Sequence, residues 1–168
     1  MTTLSQLISI YKWISSDRWN SVSLELNEDY SLCAPNLHDS KFLGLLNLSK
    51  NQYILFLLLE NRINHVAIVL SDVTLLKADN FREGNIVLDV CIYTGTSQDA
   101  VDLRDELEDL YGLREIKVDK TKEKLQAALK QEADKIAAGD LALITINPSY
   151  GCSLIALSKT IEIFLYEN

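Results

Sequence analysis

Residues 152–168, CSLIALSKTIEIFLYEN, decide between two folds. Leu154, Leu157, Ile161 and Leu165 recur at helical spacing, whereas TIEIFLY alternates apolar and polar positions as a half-buried strand does. A helix beginning near Ser153 would supply a third α-element of a Rossmann-like unit. Two strands would turn the end of the chain into a hairpin and make the fold α+β. The helix is the preferred reading.

Working backwards, LALITIN (141–147) reads as a strand, and KTKEKLQAALKQEADKIAA (120–138) as a helix with Leu125, Leu129, Ala133 and Ile136 in register, closed by Gly139. REIKVD (114–119) has the alternation of a short strand. SQDAVDLRDELEDLYG (97–112) places Ala100, Leu103, Leu107, Leu110 and Tyr111 on one helical face, with Gly112 where a terminating glycine belongs and Thr96 with Asp99 as its N-cap arrangement. NIVLDVCIYTG (85–95) is the strand before it. Strand, helix, strand, helix, strand predicts right-handed crossovers and a parallel sheet, so residues 86–168 read as a βαβαβ Rossmann-like part.

Residues 1–85 differ. Leu4, Leu7, Ile8, Tyr11 and Ile14 give residues 3–16 one apolar stripe and predict an amphipathic helix. From Trp19 to Val90 the period shortens, and SVSLEL, FLGLLNLS, QYILFLLLE and HVAIVLSDVTLL are separated by turns rich in Asn, Asp, Ser and Gly, which predicts an antiparallel β-meander. YILFLLL, without alternation, suits a strand buried on both faces. The expected fold is therefore α/β or α+β, an antiparallel β-rich N-terminal part joined to a Rossmann-like C-terminal part, either as two units or within one compact domain.

Composition narrows the function. A chain of 168 residues that is 48% hydrophobic, with two prolines and six glycines, has the material for a real core. A net charge of −8 argues against a broad grip on nucleic acid, which needs clustered Lys and Arg. Cys33, Cys91 and Cys152 are odd in number and far apart, so neither a disulfide framework nor a zinc pair is expected, and with His38 and His65 alone besides them no metal or other cofactor is assigned. The first twenty residues lack the features of a signal peptide, and the run Tyr53–Leu59 is too short to span a bilayer. A cytoplasmic protein with no membrane contact is expected.

In the parallel reading, TGTSQD (94–99) and NPSYGCS (147–153) both follow strands and precede helices, which brings them to one edge of the sheet, where open α/β sheets bind ligands. Gly95, Thr96, Ser97, Asn147, Ser149, Gly151 and Ser153 would offer close backbone approach and donors to an anion. The plainer reading makes them turn and cap residues. AAGDLALITINPSYGCSLIAL resembles the strand, Asn-x-Thr-Gly-Gly-Thr-Lys loop and small-residue helix of the CARF domains, Rossmann-like sensors of cyclic oligoadenylates in CRISPR defence, and CIYTGTSQDAV is similar to their first strand and turn. The resemblance covers roughly residues 86–168 and implies a small anionic nucleotide as ligand. Tyr150 stands in place of a glycine, Cys152 and Ser153 in place of Thr-Lys, and the lysine that would face phosphate is absent.

Three enzymatic readings have a chemical basis. Glu115-Ile116-Lys117 has the Glu-x-Lys spacing of some metal-dependent nucleases, although strand alternation explains it equally. Cys152 at a helix start could be an activated thiolate with His38 or His65 as base, against the simpler role of a small buried residue. Ser149 or Ser153 could assist cleavage of a bound cyclic nucleotide, but no general base accompanies them. No catalytic residue is assigned. The acidic helix face of Asp102, Asp105, Glu106, Glu108 and Asp109 reads as a solvated surface or a dock for a basic partner. The expected function is a non-enzymatic binding or adaptor subunit of a larger assembly, with an unidentified protein partner. The alternatives are a nucleotide-sensing module, with a homodimer as one form, and, behind it, a nuclease.

Overall fold

The computed structural model describes residues 18–60, 63–95, 101–113 and 119–166. Its strands are β1 (Trp19–Val22), β2 (Glu25–Leu26), β3 (Leu32–Ala34), β4 (Lys41–Ser49), β5 (Gln52–Leu58), β6 (His65–Ser71), β7 (Leu75–Asp79), β8 (Ile86–Tyr93), β9 (Ala142–Tyr150), β10 (Ser153–Ser158) and β11 (Thr160–Tyr166). Two helices, α1 (Val101–Leu110) and α2 (Asp119–Ala138), stand between β8 and β9. The predicted N-terminal helix, the cap at Thr96 and Asp99, and nearly all of REIKVD lie outside the described residues.

Nine strands form one sheet in the order β1-β11-β6-β5-β4-β8-β9-β10-β7, and β2 pairs with β3 in a small hairpin. Every pairing is antiparallel. This overturns the βαβαβ Rossmann-like expectation. β8 and β9 are immediate antiparallel neighbours, with Tyr93 opposite Leu143 and Ile86 opposite Tyr150, so α1 and α2 form a single excursion from the sheet and back. The predicted helix at Ser153 is also replaced, by β10 and β11, which meet at Lys159. Its leucine spacing misled because β10 is buried on both faces. Leu154 and Ala156 point into the main core while Ile155 and Leu157 point toward the helices. A strand covered on both sides carries no polar alternation to distinguish it from a helix.

Both helices form where their apolar period places them. Gly112 at φ 64° and Gly139 at φ 78° end them, their N–H groups donating to the carbonyls of Asp109 and Ile136 at 3.0 Å each. Leu103 and Leu107 of α1 and Leu129 and Ile136 of α2 cover Tyr93, Leu143, Ile155 and Leu157 on the outer face of the sheet. Lys77 of β7 grips both carboxylate oxygens of Asp109 at 3.1 Å, which ties the end of α1 to the sheet edge. No helix among the described residues is long and apolar enough to cross a membrane.

The sheet wraps round on itself. β6 runs into β7 through Asp72–Thr74, and β10 runs into β11 through Lys159, yet these pairs occupy opposite ends of the strand order. They are one bent ribbon: Thr160 faces Ser71 before the bend and Leu157 faces Leu75 beyond it. At the corner the Thr74 N–H donates to the Leu157 carbonyl at 2.9 Å, and the Lys159 N–H to the Ser71 carbonyl at 3.1 Å. The enclosed core draws on every side of this circuit, including Leu55, Ile68, Ile92, Ile144, Leu154 and Ile163. Strands from both sides of residue 85 interleave in it. A small barrel-like sheet filled by its own side chains has this construction. On the opposite face of β5 and β6, Ile54, Ala67 and Val69 join Trp19 in a separate buried cluster, so β5 is apolar on both sides as YILFLLL predicts.

The circuit is weakest between β4 and β8, which share one paired position, Lys41 with Ile86. Beyond it the edge of β8 is taken up by other backbone. Ser31 bridges Cys91, the Ile92 N–H donates to the Tyr30 carbonyl, the Asp39 N–H to that of Val87, and the Val87 N–H to that of Ser40. Leu32 and Leu37 enter the core through the same gap.

Candidate functional site

The residues singled out in the sequence divide between two places. Gly95 follows the Tyr93 end of β8, whereas the 147–153 loop lies at its Ile86 end. Antiparallel pairing therefore separates the two loops by nearly the full strand, roughly 20 Å at the usual rise per residue. The positional argument for an anion cradle, two loops at one edge of a parallel sheet, does not hold. Gly95, at φ 60°, donates its N–H to the Ile136 carbonyl at 2.8 Å and so anchors the exit of β8 to the end of α2. Thr96 and Ser97 lie outside the described residues, as do Glu115 and Lys117.

Asn147, Pro148, Ser149 and Tyr150 belong to β9, Gly151 and Cys152 make the turn, and Ser153 opens β10. The turn is closed from beneath by Asn85, a side chain 2% exposed. Its Oδ1 accepts from the N–H groups of Cys152 and Arg82 at 3.0 Å each. Its own carbonyl accepts from the Phe42 N–H at 3.0 Å, so one buried amide joins β4, β8 and the β9–β10 turn. Gly151 sits at φ 96°, and a Cβ there would run into Asn85 Oδ1 and lie 3.1 Å from Asn85 Cα. The glycine admits the Asn85 side chain, and the backbone N–H of Cys152 is already spent on it.

The other candidates are drawn into the same work. Asn147 donates through Nδ2 to Asp89 Oδ1 at 2.7 Å across the β8–β9 ladder. Ser149 is exposed and Ser153 half-buried. Cys152 is buried in a strand turn rather than at a helix start, and burial pushes its thiol above the ordinary range, the reverse of what a nucleophile requires. Cys91, beside Asp89, is pushed up to about 12, chiefly by burial and then by the neighbouring carboxylate.

Outside β8 a groove of about 300 Å³ is lined by Asn27, Ser31, Cys33, Asn36, His38 and Asp89. Its polar groups largely satisfy one another. Asp29 accepts from the Ser31 hydroxyl at 2.6 Å, which holds its carboxylate below the usual range, and Asn27 donates to the same hydroxyl at 2.9 Å. His38 Nδ1 lies 3.1 Å from the Asp39 carboxylate. No group of three or more His, Cys, Asp or Glu side chains among the described residues is placed to hold a metal ion. On α1, part of the acidic face is engaged: Glu108 accepts from Arg104 at 3.2 Å, and Asp109 from Lys77.

What the sequence reading missed is apolar. Leu43, Phe81, Leu88 and Tyr150 are 49%, 52%, 44% and 51% exposed. The strand register sets Lys41 of β4 opposite Ile86 of β8, and Ile86 opposite Tyr150 of β9; because β4 and β8 run antiparallel, Leu43 and Leu88 lie on opposite sides of that row. Phe81 stacks edge-on against Phe42 with ring centroids 5.4 Å apart. Extra residues in β4 at Leu43 and in β8 at Leu88 interrupt the alternation there, as β-bulges do. Two leucines in apolar runs read as core, and only the bulges would have signalled otherwise. The class that fold and surface define is a wrapped antiparallel sheet with one helical excursion and an apolar seam. The chain matches no protein-family model, no curated protein and no solved structure.

Proposed function

We propose that this chain is a non-enzymatic protein-binding module, an adaptor subunit of a larger assembly, and that its contact surface is the apolar seam where β4, β8 and β9 meet. The observation that carries the reading is the exposure of four large apolar side chains, Leu43 of β4, Leu88 of β8, Tyr150 of β9 and Phe81 just before β8, each more than two-fifths exposed, on the neighbouring strands that meet at Ile86. Single exposed apolar side chains are ordinary, but a contiguous patch rimmed by polar groups is the signature of an interaction surface. Tyr and Phe supply contact area at low entropic cost, and a Tyr hydroxyl can stay hydrogen-bonded at a rim. Lys41 and Asp39 flank the patch and provide that rim.

Photo-crosslinking in the native host tests this, with Tyr150 or Phe81 replaced in turn by a benzophenone-bearing residue and Glu123 on α2 as the control position. Protein adducts are expected from positions 150 and 81 and not from 123. Absence of protein adducts at the seam, with a nucleotide retained on the purified chain instead, would replace the adaptor reading with a small-ligand one.

A further inference from the structure

Building on the protein-binding reading, we infer that the free edge of β4 receives an extended, acid-flanked segment of the partner as an added strand. β4 is paired to β5 along its whole length, from Lys41 opposite Leu58 to Ser49 opposite Gln52. On its other side the pairing stops after the single position shared with β8. From Leu43 to Ser49 no described residue pairs with that second edge, which runs antiparallel past the start of β8, while the edge of β8 beyond Ile86 is occupied by Tyr30, Ser31, Asp39 and Ser40. Among the described residues, β4 therefore has a row of N–H and C=O groups beyond Phe42 with no strand partner.

Native sheets guard such edges with charges, prolines or very short strands. The two terminal strands of this sheet follow that rule: β7 carries Lys77 and Asp79, and β1 is only four residues long with Asn20 and Ser21 in it. β4 does not. Between Lys41 and Lys50 the sequence FLGLLNLS contains neither a charge nor a proline. Bulges at Leu43 and Leu48 leave Gly44, Leu45, Leu46 and Asn47 as a regular stretch of ladder, and a Cβ on Gly44 would meet nothing within 4 Å. Main-chain groups of that stretch supply affinity for any extended peptide, and the side chains on alternate faces supply selectivity.

Charge identifies the occupant. Lys41 and Lys50 are exposed at the two ends of the edge in a chain of net charge −8. A second copy pairing antiparallel about the midpoint of Leu45 and Leu46 would set Lys41 of each chain against Lys50 of the other, placing like charges together at both ends. A different protein whose strand is bracketed by Asp or Glu meets both lysines favourably and continues onto the apolar seam beside Leu43.

The test uses the full chain, isotopically labelled, and a synthetic peptide of alternating Val and Thr bracketed by Glu. Backbone amide shifts are expected at Gly44–Asn47. Binding should weaken at least about tenfold when the brackets are Lys, and equally when alternate peptide amides are N-methylated. Leu43→Glu and Asn47→Glu, both at exposed positions, should each weaken it by a similar factor while the chain stays folded. Saturating peptide that leaves Gly44–Asn47 unshifted overturns the strand-addition inference, and seam crosslinks at Tyr150 would then leave the adaptor reading standing. Equal affinity for Glu- and Lys-bracketed peptides overturns the choice of occupant. So does a concentration-dependent dimer dissolved by Leu43→Lys, which would assign the edge to a second copy.

Discussion

The turn joining β9 to β10 and the outer edge of β4 use backbone hydrogen-bonding groups in opposite ways. The turn has the small and polar residues that commonly line a ligand loop, yet its donors are consumed internally: Asn85 takes up the Cys152 N–H, Gly151 makes room for it, and Asn147 is held by Asp89. The edge of β4 reads as one more apolar strand of a meander, yet among the described residues its second row of backbone groups is unpaired from Leu43 onward. Glycine and asparagine mark places where the backbone makes an unusual demand, and that demand can be met by the fold itself. Unspent hydrogen-bonding capacity arises from topology, where no residue type announces it.

The sharpest way to break this contrast is Gly151→Val. A side chain there collides with Asn85 and must also hold φ 96°, so a stability loss of about 3 to 5 kcal/mol in urea unfolding is expected. A loss under about 1 kcal/mol would mean that the turn is not sealed. Asn85→Ala follows, at about 2 kcal/mol, because it strips the acceptor from the Cys152 N–H and the Arg82 N–H together. Asn147→Ala removes one half-buried hydrogen bond to Asp89 and should cost about 1 kcal/mol by the same measurement.

Thiol labelling sharpens the comparison without mutation. Cys33 is exposed, whereas burial raises the thiols of Cys152 and Cys91, the latter to about 12. Mass-resolved alkylation of the folded protein near neutral pH should modify Cys33 first and leave Cys152 and Cys91 behind. The sign for stability follows: a thiol raised from the ordinary 9.0 is favoured neutral in the fold, so the contribution of Cys91 is present below that pH and declines as pH climbs toward about 12. The smallest effect belongs to the edge. Leu43→Lys should change unfolding stability by no more than about 0.5 kcal/mol, since Leu43 is 49% exposed and its edge carries no internal bond to lose. A larger loss would place Leu43 in the core and close the comparison.

The helices α1 and α2 were legible with their C-terminal ends because each has one apolar stripe and a glycine in the left-handed region. The apolar runs from Trp19 to Val90 were legible as strands for the same local reason, a period of two between turn-forming residues, but in the large sheet only β4, β5 and β6 follow the expected meander; β7 and β8 pair with β10 and β9. SLIAL in β10 was not, because side chains on both of its faces are buried and every position is apolar or small. Of the candidate site, Gly151 and Asn147 were read as anion donors beside Gly95; antiparallel pairing sets them at the other end of β8, where Gly151 makes room for Asn85 and Asn147 donates to Asp89. Asn85, which organises the turn, gave no signal, since a lone Asn before a strand is indistinguishable from an ordinary turn residue.

By itself the sequence determined the positions of both described helices and the glycines that end them with φ above zero, because these depend on residues within a few positions of one another. Only the tertiary structure decided that β9 returns antiparallel beside β8, that the β6–β7 and β10–β11 ribbon bends to wrap the sheet, and that β4 is left with an edge. Strand direction and pairing are set by contacts between residues far apart in the chain, and hydropathy period reports that a face is covered without reporting by what.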